Sequence, residues 1–306
     1  MSETATKRLQ LVSLGEALTD MVRVEDALWK SIPGGAGWNV ARAAATLGLP
    51  SAFAGGISTD CFGDAIWAAS EQSQLDLRLL QRVNKPPLLA MVHATDPPQY
   101  FFVGSDSADL AFDPLMLPAG WDAGLPWAHF GGISLAREPL AGRLVALAQQ
   151  LKAQGTRISY DPNYRNAMTP AYRTTLQTMV ALADVVKVSD EDLQGLLPEM
   201  TQQQARGTLL HWNPTARILQ THGAQGASLW HQGTVVRCPA FVVDVADTVG
   251  AGDASMAGLI CSLLQTPDHS NEHHLRWAMA CGAAACMSVG PSPPTRKQVT
   301  WLLQTP

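Results

Sequence analysis

No two of the five cysteines stand in a CxxC pair. They lie at 61, 238, 261, 281 and 286, an odd number that argues against a zinc site and a disulfide framework alike, so they read as small core residues. A surplus of positive charge is also missing, with 21 Lys and Arg against 26 Asp and Glu and a formal net charge of -5. Without a long basic run to neutralise a phosphate backbone, nucleic acid is excluded as a partner. No stretch reaches the ~18 apolar residues of a membrane span, and no apolar signal-peptide core follows the polar segment Met1 to Lys7. No membrane partner and a cytoplasmic location are therefore expected. His269, His273 and His274 cluster in DHSNEHH, without a ligand set at diagnostic spacing, and read as a solvated turn before a helix and not a metal site. The nucleotide fingerprints G-x-x-x-x-G-K-[ST] and G-x-G-x-x-G do not occur.

What is present is enough apolar side chain for a large core, 46% of residues against 15% charged. Short apolar runs alternate with helical patterns. QLVSLG precedes a helix around Asn39 to Leu47, and SAFAGG precedes one near Gly63 to Gln74. WAHFGG leads into a Leu/Ala-rich helix over Leu140 to Ala153, RISYD follows, and DVVKVS runs into a helix beginning near Asp190. Alternation of this kind implies βαβ units and an α/β fold with a parallel sheet. Two segments break it, at about 18–33 and 87–110, the second reading as paired strands LLAMVHAT and QYFFVGS around the turn DPP. With no repeat, low-complexity tract or long linker, a single domain over 1–306 carrying a small β lid is the expected layout.

The most informative stretch is Asp247-Thr248-Val249-Gly250-Ala251-Gly252-Asp253-Ala254-Ser255, read as a strand-to-helix turn that joins the extended segment VVDVAD to the small-residue helix ASMAGLICSLL. Gly250, Ala251 and Gly252 leave backbone N–H groups bare at the positive end of a helix, a geometry suited to an anion such as a transferring phosphoryl group. Asp253 then stands beside that anion. A carboxylate in the first helical turn is stabilised as the anion, so a weak base is expected, which a loose phosphoryl-transfer transition state tolerates. An Asp in this place also reads as a simple helix cap. The second Gly-rich stretch, Pro33-Gly34-Gly35-Ala36-Gly37-Trp38-Asn39-Val40-Ala41, closes the first insertion and opens a helix. Its paired glycines permit a hinge, and Asn39 offers a donor and an acceptor to a polyhydroxylated ligand or serves as a polar residue at a helix start.

With these two stretches the chain resembles the ribokinase-like, pfkB-type family of carbohydrate kinases, whose signatures match at Gly34 to Ala41 and Asp247 to Ala254. Further features fall in order: GEALTD at Gly15 to Asp20, GGISTDCFGD at Gly55 to Asp64, DPNYR at Asp161 to Arg165, KVSDED at Lys187 to Asp192 and THGAQGA at Thr221 to Ala227. DPNYR and KVSDED look most like the fructokinase branch. The resemblance implies a three-layer αβα core with a β lid, ATP and Mg²⁺, and a monovalent cation such as K⁺ near the anion hole. It makes Asp253 the base and the amides of Gly250, Ala251 and Gly252 the anion hole. Asp20, Gly35, Asn39 and Phe102 fall to the sugar, and Arg165 to the junction of sugar and phosphate. Thr221, Gly223 and Gly226 fall to the nucleotide, with Lys187 and Ser189 at its phosphates. For Lys187 the residues themselves equally allow a charge ending an edge strand.

The chain departs from the family in three places. An Asn-x-x-Glu motif associated with magnesium-bound water reads Ser189-Asp190-Glu191-Asp192, leaving Asp192 to act through water. The lid run Phe101-Phe102-Val103 lacks the Arg of many relatives, and the C-terminal cation loop reads MSVGPSPPT, which leaves Asp247 and Val249 as cation ligands. The implied activity is transfer of the ATP γ-phosphate to a primary hydroxyl of a neutral sugar, fructose first, with 2-keto-3-deoxygluconate or a nucleoside or aminoimidazole riboside as alternatives. A dinucleotide-dependent oxidoreductase would need an acidic residue about 20 residues past the glycines, where the chain runs into SLLQTPDHSNE. A non-catalytic sugar-binding regulator would not need Asp253. An exposed lid edge with Phe101 and Phe102 also allows a homodimer.

Overall fold

The computed structural model describes residues 8–95 and 98–304. Met1 to Lys7 and two residues of the DPP turn, Asp96 and Pro97, lie outside the described residues. The strands are β1 (Leu11–Leu14), β2 (Leu18–Glu25), β3 (Leu28–Gly34), β4 (Ser51–Ser58), β5 (Leu80–Val83), β6 (Leu89–Thr95) and β7 (Pro98–Val103). They continue with β8 (Trp127–Gly131), β9 (Arg157–Asp161), β10 (Val185–Ser189), β11 (Arg217–Thr221), β12 (Ala227–His231) and β13 (Thr234–Cys238). Nine of them form one sheet in the order β13-β12-β11-β10-β9-β8-β1-β4-β5. Every pairing from β5 to β11 is parallel, and β12 and β13 close that side antiparallel.

Runs such as SAFAGGIS and WAHFG are mainly apolar and carry no formal charge at pH 7 because helices cover both faces of the sheet, and every residue of β4 and β8 is buried. Successive strand residues point to opposite faces and so feed two separate cores. Val12, Val186 and Ile218 pack with α3 (Leu140–Ala153), α4 (Arg173–Leu182) and α6 (Gln202–Trp212). Their neighbours Leu11, Val185 and Leu219 pack with α1 (Ala36–Thr46), α7 (Ala251–Gln265), α8 (Asn271–Cys286) and α9 (Arg296–Gln304). Removing a side chain here, as in Leu144→Ala at a fully buried site, costs roughly 2–5 kcal/mol.

The expected insertions form a second sheet, β3-β2-β6-β7, with β2 and β3 as one hairpin and β6 and β7 as another. β2 passes from buried residues to exposed ones along its length as it leaves the core. The chain runs from β1 outward through β4 and β5, then returns to place β8 on the other side of β1. That reversal puts the ligand crevice beyond the carboxyl ends of the parallel strands.

Three readings are corrected. VVDVAD is not a strand: residues 239–247 pair with no sheet, Val242 is fully exposed, and the amides of Ala246 and Asp247 bond to the Cys286 carbonyl. The oxidoreductase reading thereby loses the strand before its Gly-rich turn. His274 is not in a solvated turn but buried inside α8, hydrogen-bonded to Ser262 at 2.8 Å, because the helix starts at Asn271 under a Ser270 cap. Cys238, Cys261 and Cys281 are core residues as expected, whereas Cys61 is exposed. No described helix is long and apolar enough to cross a membrane.

Candidate active site

The GAGD turn works because Gly250 takes the left-handed conformation, φ 82°, that side chains rarely adopt, and from there caps α7. The Ala251 amide already donates to the Thr248 carbonyl at 3.2 Å. Among the described residues this leaves the amides of Gly250 and Gly252 without an acceptor, at the positive end of a fifteen-residue helix. A Cβ at Gly252 would lie 3.1 Å from the Lys187 Cε and 3.2 Å from its Nζ, a tight fit that glycine relieves. The turn is therefore seated directly over an ammonium group.

Lys187 is not at a sheet edge. β10 lies between β9 and β11, and the buried Lys187 Nζ pairs with Asp161 at 2.7 Å. Burial alone would lower its pKa, but the carboxylates of Asp161 and Asp192 hold it above the ordinary value. A fixed cation thus lies beside the free amides, where negative charge would develop on a transferring group.

Asp253 is buried in the first turn of α7, and its Oδ2 accepts from Asn39 Nδ2 at 2.9 Å. The expectation of a weak base is overturned. Desolvation pushes Asp253 up to about 7, only partly countered by the Asn39 bond and the Lys187 and Arg165 charges. Loss of water is the largest contribution to the shift. Asn39 Oδ1 is buried without a partner, an acceptor waiting for a donor. Asn39 reaches this point because α1 is capped by Gly35, whose φ of 119° and close contact with the Glu16 carbonyl admit no side chain.

Asp20, on β2, is pushed up to about 6 by burial, with Arg165 drawing it back. A Cβ at Gly34 would clash with its Oδ2, so Gly34 makes room for the carboxylate. Arg165 follows Asn163, a non-glycine residue at φ 47°, and is pinned by the Asn163 Oδ1 at 2.6 Å and the Tyr164 carbonyl at 2.7 Å. Its guanidinium lies 5.5 Å from the centre of the Tyr100 ring, on lid strand β7. Sequence reasoning missed Tyr100. The signal was the period of two along β7, which puts Tyr100 on the same face as Phe102. Phe102 packs into the apolar cluster of Leu18, Leu88, Ala90 and Ile133 and edge-on to Tyr100, so the aromatic next to Arg165 is Tyr100.

Ser189 and Asp192 form a capping box on α5 (Asp190–Leu196). The two Asp192 oxygens accept the amides of Tyr164 and Ser189, each at 2.7 Å. Among the described residues no group of three or more His, Cys, Asp or Glu is placed to hold a metal ion. Thr221 lies level with Ser189 at the same end of the sheet, and the turn after it carries Gly223 and Gly226 at positive φ. His222, unforeseen, ties this turn to Asp190 and Ser228. Asp247 accepts the amides of Val249 and Gly290, clamping the GAGD turn to the C-terminal loop.

The chain as a whole is similar to proteins of known type. "Fructokinase-1" of Oryza sativa is 30% identical over 316 residues, covering 96% of this chain and 98% of that protein. The structure "Fructokinase with bound ATP" from Xylella fastidiosa superposes with a TM-score of 0.88 at 26% identity over 96% of this chain and 98% of that one. A "putative Ribokinase II" from E. coli, at TM-score 0.86 and 22% identity over 97% and 99%, shares the fold, which is therefore ribokinase-like. With the pfkB family carbohydrate kinase profile matching residues 8–298, and the GAGD turn within that span, the chain belongs to the pfkB family of carbohydrate kinases.

Proposed function

We propose that this ATP-dependent sugar kinase takes a neutral sugar as acceptor, fructose first, with Asp253 as the base. The observation that carries the reading is the buried Asp253 carboxylate, raised to about 7, between the free amides of a helix N-terminus and the Asn39 side chain. In that role a primary hydroxyl bonds to Asp253 and donates to no other group. Its oxygen forms the new bond to the γ-phosphorus as the bond to the bridging oxygen of ADP breaks, and the proton passes to Asp253. The amides of Gly250 and Gly252 and the Lys187 ammonium carry the charge on the transferring group. Asn39 Oδ1, Asp20 and Gly35 take the remaining sugar hydroxyls, and Arg165 stands between sugar and phosphate. The nucleotide lies along the ends of β10 and β11, past Ser189, Thr221, Gly223 and Gly226.

The relatives' names and the ATP of the Xylella structure support the substrate pair. Mg²⁺ fits only as an ion held mainly by the nucleotide phosphates and water, which is its usual habit. Asp192, with lone pairs left beyond its two amide bonds, is the carboxylate that such a water would reach. Asp247 and the Val249 carbonyl suit a monovalent cation such as K⁺ behind the GAGD turn. The four-stranded sheet serves as lid to one kinase domain, and its face carrying the exposed Phe101 and Val103 suits contact with a second copy. A coupled assay of ADP release across neutral sugars, sugar acids and nucleosides tests the reading. Fructose-dependent release is expected, and turnover confined to acids or nucleosides would refute the sugar assignment.

A further inference from the structure

Beside α1, an open cleft of about 230 Å³ lies between lid strand β3, α1 and the loop at 289–292. A water takes roughly 30 Å³ in the liquid, so there is room for a phosphate-sized anion with part of its hydration shell. Two cations line it, Arg42 and Lys30, and no acidic side chain does. The Arg42 guanidinium stacks 4.2 Å from the Trp38 ring, gives Nε to the Ser73 hydroxyl at 2.9 Å and gives Nη1 to the Pro291 carbonyl at 3.2 Å. All three partners are neutral. Neither Arg42 nor Lys30 has an ion pair among the described residues.

A guanidinium stays charged in any protein setting, so a half-buried one without a counterion leaves positive potential in the space it faces. Lys30 adds a second charge from the lid side. Asp247, the carboxylate bonded to this loop at the Gly290 amide, does not line the cavity. We infer that the cavity behind lid strand β3 is a binding site for a small multivalent anion of the phosphate class, held by Arg42 and Lys30. The two cations belong to different parts of the fold, one to α1 and one to the lid. An anion between them ties β3, and through it the Asp20 strand β2, to the loop that Asp247 joins to the GAGD turn.

The site is tested on the full chain by equilibrium dialysis against labelled inorganic phosphate at constant ionic strength. A non-hydrolysable ATP analogue fills the nucleotide site, so phosphate held there does not count, and failure of the kinase reading would leave this measurement standing. One phosphate per parent chain is expected, with at least tenfold weaker binding in Arg42→Met and in Lys30→Glu. Lys30→Glu changes an exposed lid residue, so it keeps the test decisive if Arg42→Met does not fold. Displacement by methyl phosphate marks a phosphate ester as the natural occupant, and retention marks free phosphate. No binding by the parent at millimolar phosphate, an adventitious ion only that both variants bind equally, or loss with chloride alone would overturn the inference.

Discussion

Asn39 Nδ2 donates to Asp253 Oδ2 at 2.9 Å, joining α1 to the first turn of α7 across 214 positions of sequence. The bond favours the ionised carboxylate and so lowers the Asp253 pKa against the larger effect of burial. Hydrogen bonds to charged groups contribute about 1.5–3 kcal/mol, and one pKa unit is about 1.4 kcal/mol. Asn39→Ala should therefore move the midpoint of the pH–rate curve up by about one unit, while raising the sugar KM because the unpartnered Oδ1 is lost as well. Initial rates from pH 5.5 to 9 measure both. A KM change with an unmoved midpoint would mean that the bond does not tune the base.

Asp253→Asn should lower turnover by the ~10²–10⁴-fold expected for a positioned base, with ATP affinity kept. In the parent, kcat/KM should rise through about pH 7 as the base ionises. Stability runs the other way. The folded-state pKa of about 7 lies above the ordinary 3.8, so the folded chain holds a proton that the unfolded chain releases between those values. The contribution is full below pH 3.8 and lost as pH rises through 7. Asn bears no such penalty, so the variant should melt above the parent at pH 8 and level with it at pH 4. A lower melting temperature at both would return Asp253 to a capping role.

Lys187 and Asp161 form a buried pair at 2.7 Å under Gly252. Breaking such a pair strands a charge and costs about 3–5 kcal/mol, whereas replacing both members is nearly neutral. Lys187→Met should thus be strongly destabilised, and Lys187→Met with Asp161→Asn should recover most of the loss by chemical denaturation. Turnover should stay low in both if Lys187 carries charge from the phosphoryl group. Recovery of turnover with stability would reduce Lys187 to scaffolding.

The αβα layering was legible because parallel strands covered on both faces read as mainly apolar, uncharged runs, as in SAFAGGIS. The GAGD turn was legible because glycine at 250 and 252 answers a positive φ and a close approach. Neither the direction of the Asp253 shift nor the Lys187 to Asp161 pair was. Both depend on burial and on groups brought together from separate strands, which local sequence does not encode. VVDVAD misled for a related reason, since β propensity describes fit to a half-buried pleated surface and no strand was there to receive it.

The proposed acceptor preference rests on Asp20. Burial pushes its carboxyl up to about 6 and Arg165 pulls it back, so it is mostly ionised at pH 7.5 and mostly neutral at pH 5. A carboxylate there accepts two sugar hydroxyls but repels a substrate carboxylate. At ~4 Å and an effective dielectric near 20, one like-charge contact costs about 4 kcal/mol, close to a thousandfold in specificity. The lid cannot offset it, since Phe101 and Phe102 carry no charge, and Arg165 is already engaged by Asn163, Tyr164 and the Tyr100 ring. Fructose should therefore be preferred to 2-keto-3-deoxygluconate, and the ratio of kcat/KM should widen as pH rises through 6. Asp20→Asn should flatten that pH dependence and narrow the ratio at pH 7.5, at the expense of fructose KM. Preference for the keto acid, with Asp20→Asn without effect on the ratio, would place the substrate carboxylate elsewhere and remove Asp20 from the sugar pocket.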